Sequence, residues 1–152
     1  MSALPPDLLA SASFTNVSVT TEKLGAGEQM QGYPTEKVRM TVTYALSIMG
    51  QSLNTMTTIE MWVAQLPAAV ITPFDGTVPR SLMDGPMKEL AEKTNAARKT
   101  LGTGTPLKTV TTASITGPMS ITTVNTVELL DVKVGDVDPA MFKVPDGFTK
   151  KL

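Results

Sequence analysis

The chain predicts an α+β fold: an antiparallel sheet with one long helix packed on it. Three observations carry this. Apolar residues recur at every second position in several runs, a single run shows helical spacing, and glycine- or proline-marked turns join neighbouring strands. Parallel neighbours would each need a crossover, and one helix cannot supply them all.

The first run, Ser13 to Leu24, alternates around Phe14, Val17 and Val19, and Gly25-Ala26-Gly27 is expected to end it. The second is the cleanest. Val38, Met40, Val42, Tyr44, Leu46 and Ile48 take one face, against Arg39, Thr41, Thr43 and Ser47 on the other. Gly50-Gln51-Ser52 is expected to turn the chain into Met56 to Val63, where Ile59, Met61 and Val63 oppose Thr58, Glu60 and Trp62. The two runs read as a hairpin.

Pro67, Pro73, Asp75-Gly76 and Pro79 mark a long irregular connection, since no regular ladder survives so many missing donors and turn residues. Asp84-Gly85-Pro86 then offers a capping residue and a proline for the first turn of a helix. Its apolar stripe is Met87, Leu90, Ala91, Ala97 and Leu101, and Gly102 stops it. Lys88, Glu89, Glu92, Lys93, Arg98 and Lys99 read as its solvated face.

Leu107 to Thr116, rich in Thr and β-branched residues, and Ser120 to Val134 form a second hairpin about Gly117-Pro118. In the last run the apolar set moves from odd positions (Ile121, Val127, Leu129) to even ones (Leu130, Val132, Val134). A β-bulge, or burial on both faces, produces such a change of phase, and the bulge is the favoured reading.

Composition narrows the function classes. A chain of 152 residues suggests a single domain over 1–152, with 1–11 as a flexible arm. A formal charge of -1 gives no basic face for nucleic acid. With no cysteine and no histidine, disulfides, thiolate nucleophiles, His-based triads and Cys- or His-ligated metals are excluded. No apolar run approaches the roughly 20 residues of a membrane span, and the start lacks the pattern of a signal peptide.

Asp131, Asp136 and Asp138 are the remaining candidates for paired-carboxylate chemistry or for calcium. Beside Gly135 and Pro139 they read better as turn and cap residues. The glycine pairs at Gly25-Ala26-Gly27 and Gly102-Thr103-Gly104 lack the context of a phosphate cradle. The chain is therefore read as non-enzymatic, with no cofactor and no metal site.

Gly32-Tyr33-Pro34-Thr35 before the long strand, Glu60-Met61-Trp62-Val63, Gly104-Thr105-Pro106-Leu107-Lys108 after the helix and the tail Phe142 to Phe148 together resemble a bacterial domain family of unknown function. The fold of that family is similar to the periplasmic lipoprotein carriers LolA and LolB. The resemblance implies a curved antiparallel sheet, a half-open β-barrel, with the helix on its concave face. It also implies an exported, periplasmic protein holding acyl chains in that concavity. Such domains carry more strand sequence before the Gly-Tyr turn, so the chain is expected either to be a fragment lacking upstream strands or to form a short barrel.

The ten methionines suit an adjustable apolar cavity, because Met fills irregular shapes. The expected lining is Met40, Val42, Tyr44, Met61, Trp62, Phe74, Met87 and Leu90, with Val70 to Phe74 as a cover. Phe142, Pro145, Gly147 and Phe148 are expected to form a structural clasp for the last strand. Two functions follow as expectations. One is a non-catalytic cell-envelope protein binding a lipid-like or other apolar ligand. The other is an interaction module with a filled core, whose exposed strand edge supports homodimers or recruits a partner.

Overall fold

The computed structural model describes residues 13–48, 50–67, 87–133, 135–136 and 138–143. Five strands form one antiparallel sheet in the order in which they occur: β1 (Ser13–Ala26), β2 (Thr35–Ile48), β3 (Gln51–Ala64), β4 (Thr105–Thr116) and β5 (Ile121–Glu128). Among the described residues one α-helix, α1 (Lys88–Thr100), lies between β3 and β4 in the chain and packs on β1 and, less extensively, on β2. A short 3-10 turn, Pro139–Phe142, follows β5. Among the described residues the sheet is open, with β1 and β5 as its two edges. No helix among the described residues is long and apolar enough to cross a membrane.

The strands follow the alternation that the residues predict. In the middle of β2 the even positions Val38, Met40 and Val42 are buried, with Val38 1% and Met40 3% exposed, while Thr35 and Ala45 are buried on the other parity. This strand has a neighbour on each side and the helix near one face, so its apolar row is best covered. The β2–β3 register runs without interruption from Thr35↔Ala64 to Ile48↔Gln51. That pairing leaves a tight turn between Ile48 and Gln51, and Gly50 takes the positive φ of 79° that such a turn requires. Gln51 and Ser52, expected in the turn, are instead the first residues of β3.

The breaks in the strands depart from expectation in part. β1 ends at Ala26, within the expected Gly25-Ala26-Gly27 stretch, although Gly25 itself stays in the strand. It pairs with Lys37 and sits at a bulge after Lys23, where its φ of 93° lets the strand continue to Ala26. A second bulge in β1 falls between Thr15 and Ser18, with Asn16 at φ 56°. A third irregularity lies between β3 and β4 at Trp62/Val63, beside Leu107. The bulge expected in the last strand is absent, because β5 pairs with β4 without a shift and ends at Glu128. Leu129 and Val132 then turn onto a small core of Met30, Ala64 and Leu107, joined by Tyr33, Trp62 and Leu66. The apolar phase changes there because the chain leaves the sheet. Val134 lies outside the described residues.

α1 begins at Lys88 with Met87 at its N-cap and no side-chain cap. Asp84 and Pro86 lie outside the described residues. Ala91 is the buried residue of the helix stripe, and Arg98 and Lys99 in the last turn complement its negative end. Of the expected clasp, Phe142 closes the 3-10 turn, while Pro145, Gly147 and Phe148 lie outside the described residues, as do 1–11. Asp138 caps that turn by accepting a hydrogen bond from the Ala140 amide at 2.9 Å, the turn role expected of this acid.

Candidate functional site

The sheet register builds two rows of side chains across the face that carries the helix. One row is Met40, Ile59, Thr111 and Asn125, each opposite the next on β2, β3, β4 and β5. The other is Val38, Met61, Thr109 and Val127. Directly opposed residues in an antiparallel sheet share a face, so these rows form one floor. Thr94 and Arg98, four residues apart and therefore on one side of α1, form its roof near β2. Pro106, Leu107 and Leu129 close one end.

The result is a groove of about 290 Å³ with a mainly apolar lining. Its polar groups are few: hydroxyls from three threonines, the Asn125 amide and the Arg98 guanidinium. Among the described residues no carboxylate pairs with Arg98. Arg98 was expected on the solvated face of the helix, and its turn toward the sheet is a correction. Lys93 stays exposed as expected, while its Nζ donates to the Val17 carbonyl at 2.7 Å and pairs with Glu89 at 2.8 Å.

The sequence-predicted lining is only partly brought together. Met40 and Met61 form part of the floor. Val42 and Tyr44 continue the same face of β2 without lining the groove; Val42 is buried, and the Tyr44 ring packs on Phe14 with centroids 5.5 Å apart. Met87 and Leu90 are half-buried on α1 and do not reach the groove. Phe74 lies outside the described residues, as does the expected cover Val70 to Phe74.

Trp62 is corrected outright. It projects from the opposite face, where its ring lies between the Nζ atoms of Lys37 and Lys108, at 4.6 and 5.0 Å from the centroid. Its edge meets the backbone at Gly27, where an added Cβ would stand 2.9 Å from Trp62 Cδ1.

That opposite face is ordered by charge. Glu22, Arg39 and Glu60 face one another across β1, β2 and β3, and the next row is Lys37, Trp62, Lys108 and Glu128. Arg39 Nη2 donates to Glu60 Oε1 at 2.7 Å and its Nε donates to the same oxygen at 3.2 Å. Lys37 reaches Glu60 Oε2 at 3.2 Å. The Glu60 carboxyl is thereby held below the usual range, chiefly by the hydrogen bond from Arg39 and then by Lys37. No group of three metal-ligating carboxylates occurs among the described residues. Asp131 pairs with Lys133 at 3.1 Å, and Asp136 is exposed.

Sequence reading missed the rest of the lining: Ile59, Thr109, Thr111, Asn125 and Val127 on the floor, Pro106, Leu107 and Leu129 at the end, and Thr94 and Arg98 above. Ile59 and Val127 were legible in principle, since each shares its strand phase with a groove or apolar position. The helix pair was not, because spacing does not tell which charged residue bends toward a sheet. No family model matches the chain, and neither curated proteins nor solved structures give a match.

Proposed function

We propose that the groove between the sheet and α1 holds a small apolar or lipid-like ligand, and that the protein is a non-catalytic binding protein of the cell envelope. The observation that carries this is the groove itself, an apolar space of about 290 Å³ with few and localised polar groups. That volume is close to the lower end of the roughly 300–1,000 Å³ usual for ligand pockets, which suits a slender ligand or one end of a larger one. Met40 and Met61 give the floor a soft, adjustable surface. Arg98 and Asn125 would meet a carboxylate or other hydrogen-bonding end, so the favoured ligand is an amphiphile with an acidic head.

A curved, LolA-like sheet is part of the same reading. It is supported by the open sheet, by the helix on one face and by the bulges in β1 and at Trp62/Val63, a device that bends strands. The envelope setting rests on the sequence resemblance alone.

The decisive measurement is displacement of a fluorescent fatty acid from the purified protein, together with native mass spectrometry of protein taken from its original host. Saturable probe binding that Ile59→Trp abolishes, or a co-purified lipid mass, is the expected result. Probe fluorescence indifferent to Ile59→Trp, with no bound mass, would overturn the reading. The second reading, an interaction module, is favoured by the exposed edge of β5, where Ile121 and Val124 are 50% and 66% exposed.

A further inference from the structure

The two edges of the sheet are built differently. β1 carries two bulges, Lys23, a helix packed against it, and a lysine from that helix occupying the Val17 carbonyl. Each of these discourages another strand from pairing. β5 has none of them. From Ile121 to Glu128 it contains no Lys, Pro or Gly, its register with β4 is unbroken, and among the described residues no strand lies beyond it.

The direction of its free hydrogen-bonding groups follows from one bond. The Leu129 amide donates to the Leu107 carbonyl at 2.8 Å, so odd-numbered residues in this register turn their amides and carbonyls toward β4. The Ser114 and Thr122 hydroxyls, 3.1 Å apart on an even-numbered pair, fit the closer side chains of a non-bonded position. Thr122, Val124, Thr126 and Glu128 therefore present their amides and carbonyls outward.

We propose that this edge pairs antiparallel with the same strand of a second copy, Val124 opposite the partner's Val124, and that the partner's Ile121 completes the open side of the groove beside Val127. A two-fold axis through the sheet keeps each row on its own face only when opposed residues have the same parity, which leaves few registers. Centring on Val124 puts Ile121 against the partner's Val127 on the groove face and Thr122 against the partner's Thr126 on the other. Glu128 then faces the partner's Ser120, so the only charged residue of each strand never meets its own copy. Both outward rows are used, giving about six main-chain hydrogen bonds. An edge contact of this length falls among the smaller interfaces, so the dimer is reversible and not obligate.

The register makes a specific test, because the chain has no cysteine of its own. Opposed α-carbons of a hydrogen-bonded pair lie about 5.5 Å apart, within disulfide range. Val124→Cys should form a covalent dimer on mild oxidation, while Thr122→Cys, placed opposite the partner's Thr126, should do so at least tenfold more slowly. Equal rates, or no cross-link at Val124, would overturn the proposal.

Sedimentation from about 1 µM to about 1 mM gives a second reading. Wild type should dimerise with concentration and Val124→Lys should weaken this at least tenfold, with circular dichroism unchanged. A wild-type monomer throughout, or a dimer indifferent to the lysine, would also overturn it. The role of Ile121 rests on the groove binding a ligand. If Val124→Lys abolishes the dimer yet leaves fatty-acid probe affinity unaltered, that role is refuted and the pairing stands. Failure of every form to bind probe refutes the ligand reading instead.

Discussion

The two faces of this sheet are made by the same strands and do opposite things with their alternate positions. Toward α1, Met40, Ile59, Met61 and Val127 leave a space that the described side chains do not fill. Away from it, Glu22, Arg39, Glu60, Lys37 and Lys108 fill their rows with opposite charges and place Trp62 between two cations. Apolar contacts are non-directional, so the helix face tolerates a void. Ion pairs and cation–π contacts depend on which residue stands opposite which, so the outer face specifies register. The lesson is a division of labour: one face holds the alignment that lets the other stay hollow.

Substitutions can break that division, and the largest effect belongs to the hollow face. Met40→Ala should lower unfolding free energy by about 2–4 kcal/mol in a denaturant titration, since Met40 is buried and its loss adds to an existing space. Trp62→Ala should cost somewhat less, about 2 kcal/mol, because the ring is only half-buried. It should leave fatty-acid probe binding intact, and a lost probe signal with the fold preserved would mean that the two faces are coupled.

Glu60→Gln should cost about 1 kcal/mol at neutral pH. The folded-state pKa of Glu60 is depressed, so its contribution is complete above the unfolded value and is lost as pH falls through the folded one. Thermal melts of wild type and Glu60→Gln should therefore draw together as pH falls from the unfolded carboxylate range through the depressed folded value, and a gap as wide in strong acid as at neutral pH would contradict the assignment. Smallest in stability is Arg98→Gln, expected within about 0.5 kcal/mol of wild type. It should nevertheless weaken a carboxylate probe about tenfold relative to the matching alcohol.

Sequence reading reached the strands because their alternation is local. Val38 to Ile48 announces both its conformation and its two faces, and Trp62 was correctly separated from Ile59 and Met61 by parity. Which face the helix would choose is a tertiary fact, decided by the apolar row of β1 and β2 that α1 covers, and so Trp62 was assigned to the wrong environment. The phase change after Leu129 had the same root. Alternation alone cannot distinguish a bulge from a chain leaving its sheet for another cluster, here Met30, Ala64 and Leu107. The two bulges of β1 are signalled by Asn16 and Gly25, residues tolerant of positive φ, whose usual reading is a turn.

The order of the strands also has a consequence for how the molecule assembles. β2 and β3 are joined by a two-residue turn, and β4 and β5 by a short one, whereas the seam between β3 and β4 must close over the whole excursion from Ala64 to Thr105. Loop-closure entropy rises with the length spanned, so the two hairpins are expected to zip first and the seam last. The groove floor crosses that seam, with Met40, Ile59 and Met61 on one side and Thr109, Thr111 and Val127 on the other. A ligand lying across both would act as a stitch over the latest-forming join, slowing amide exchange along the β3–β4 ladder more than along β2–β3.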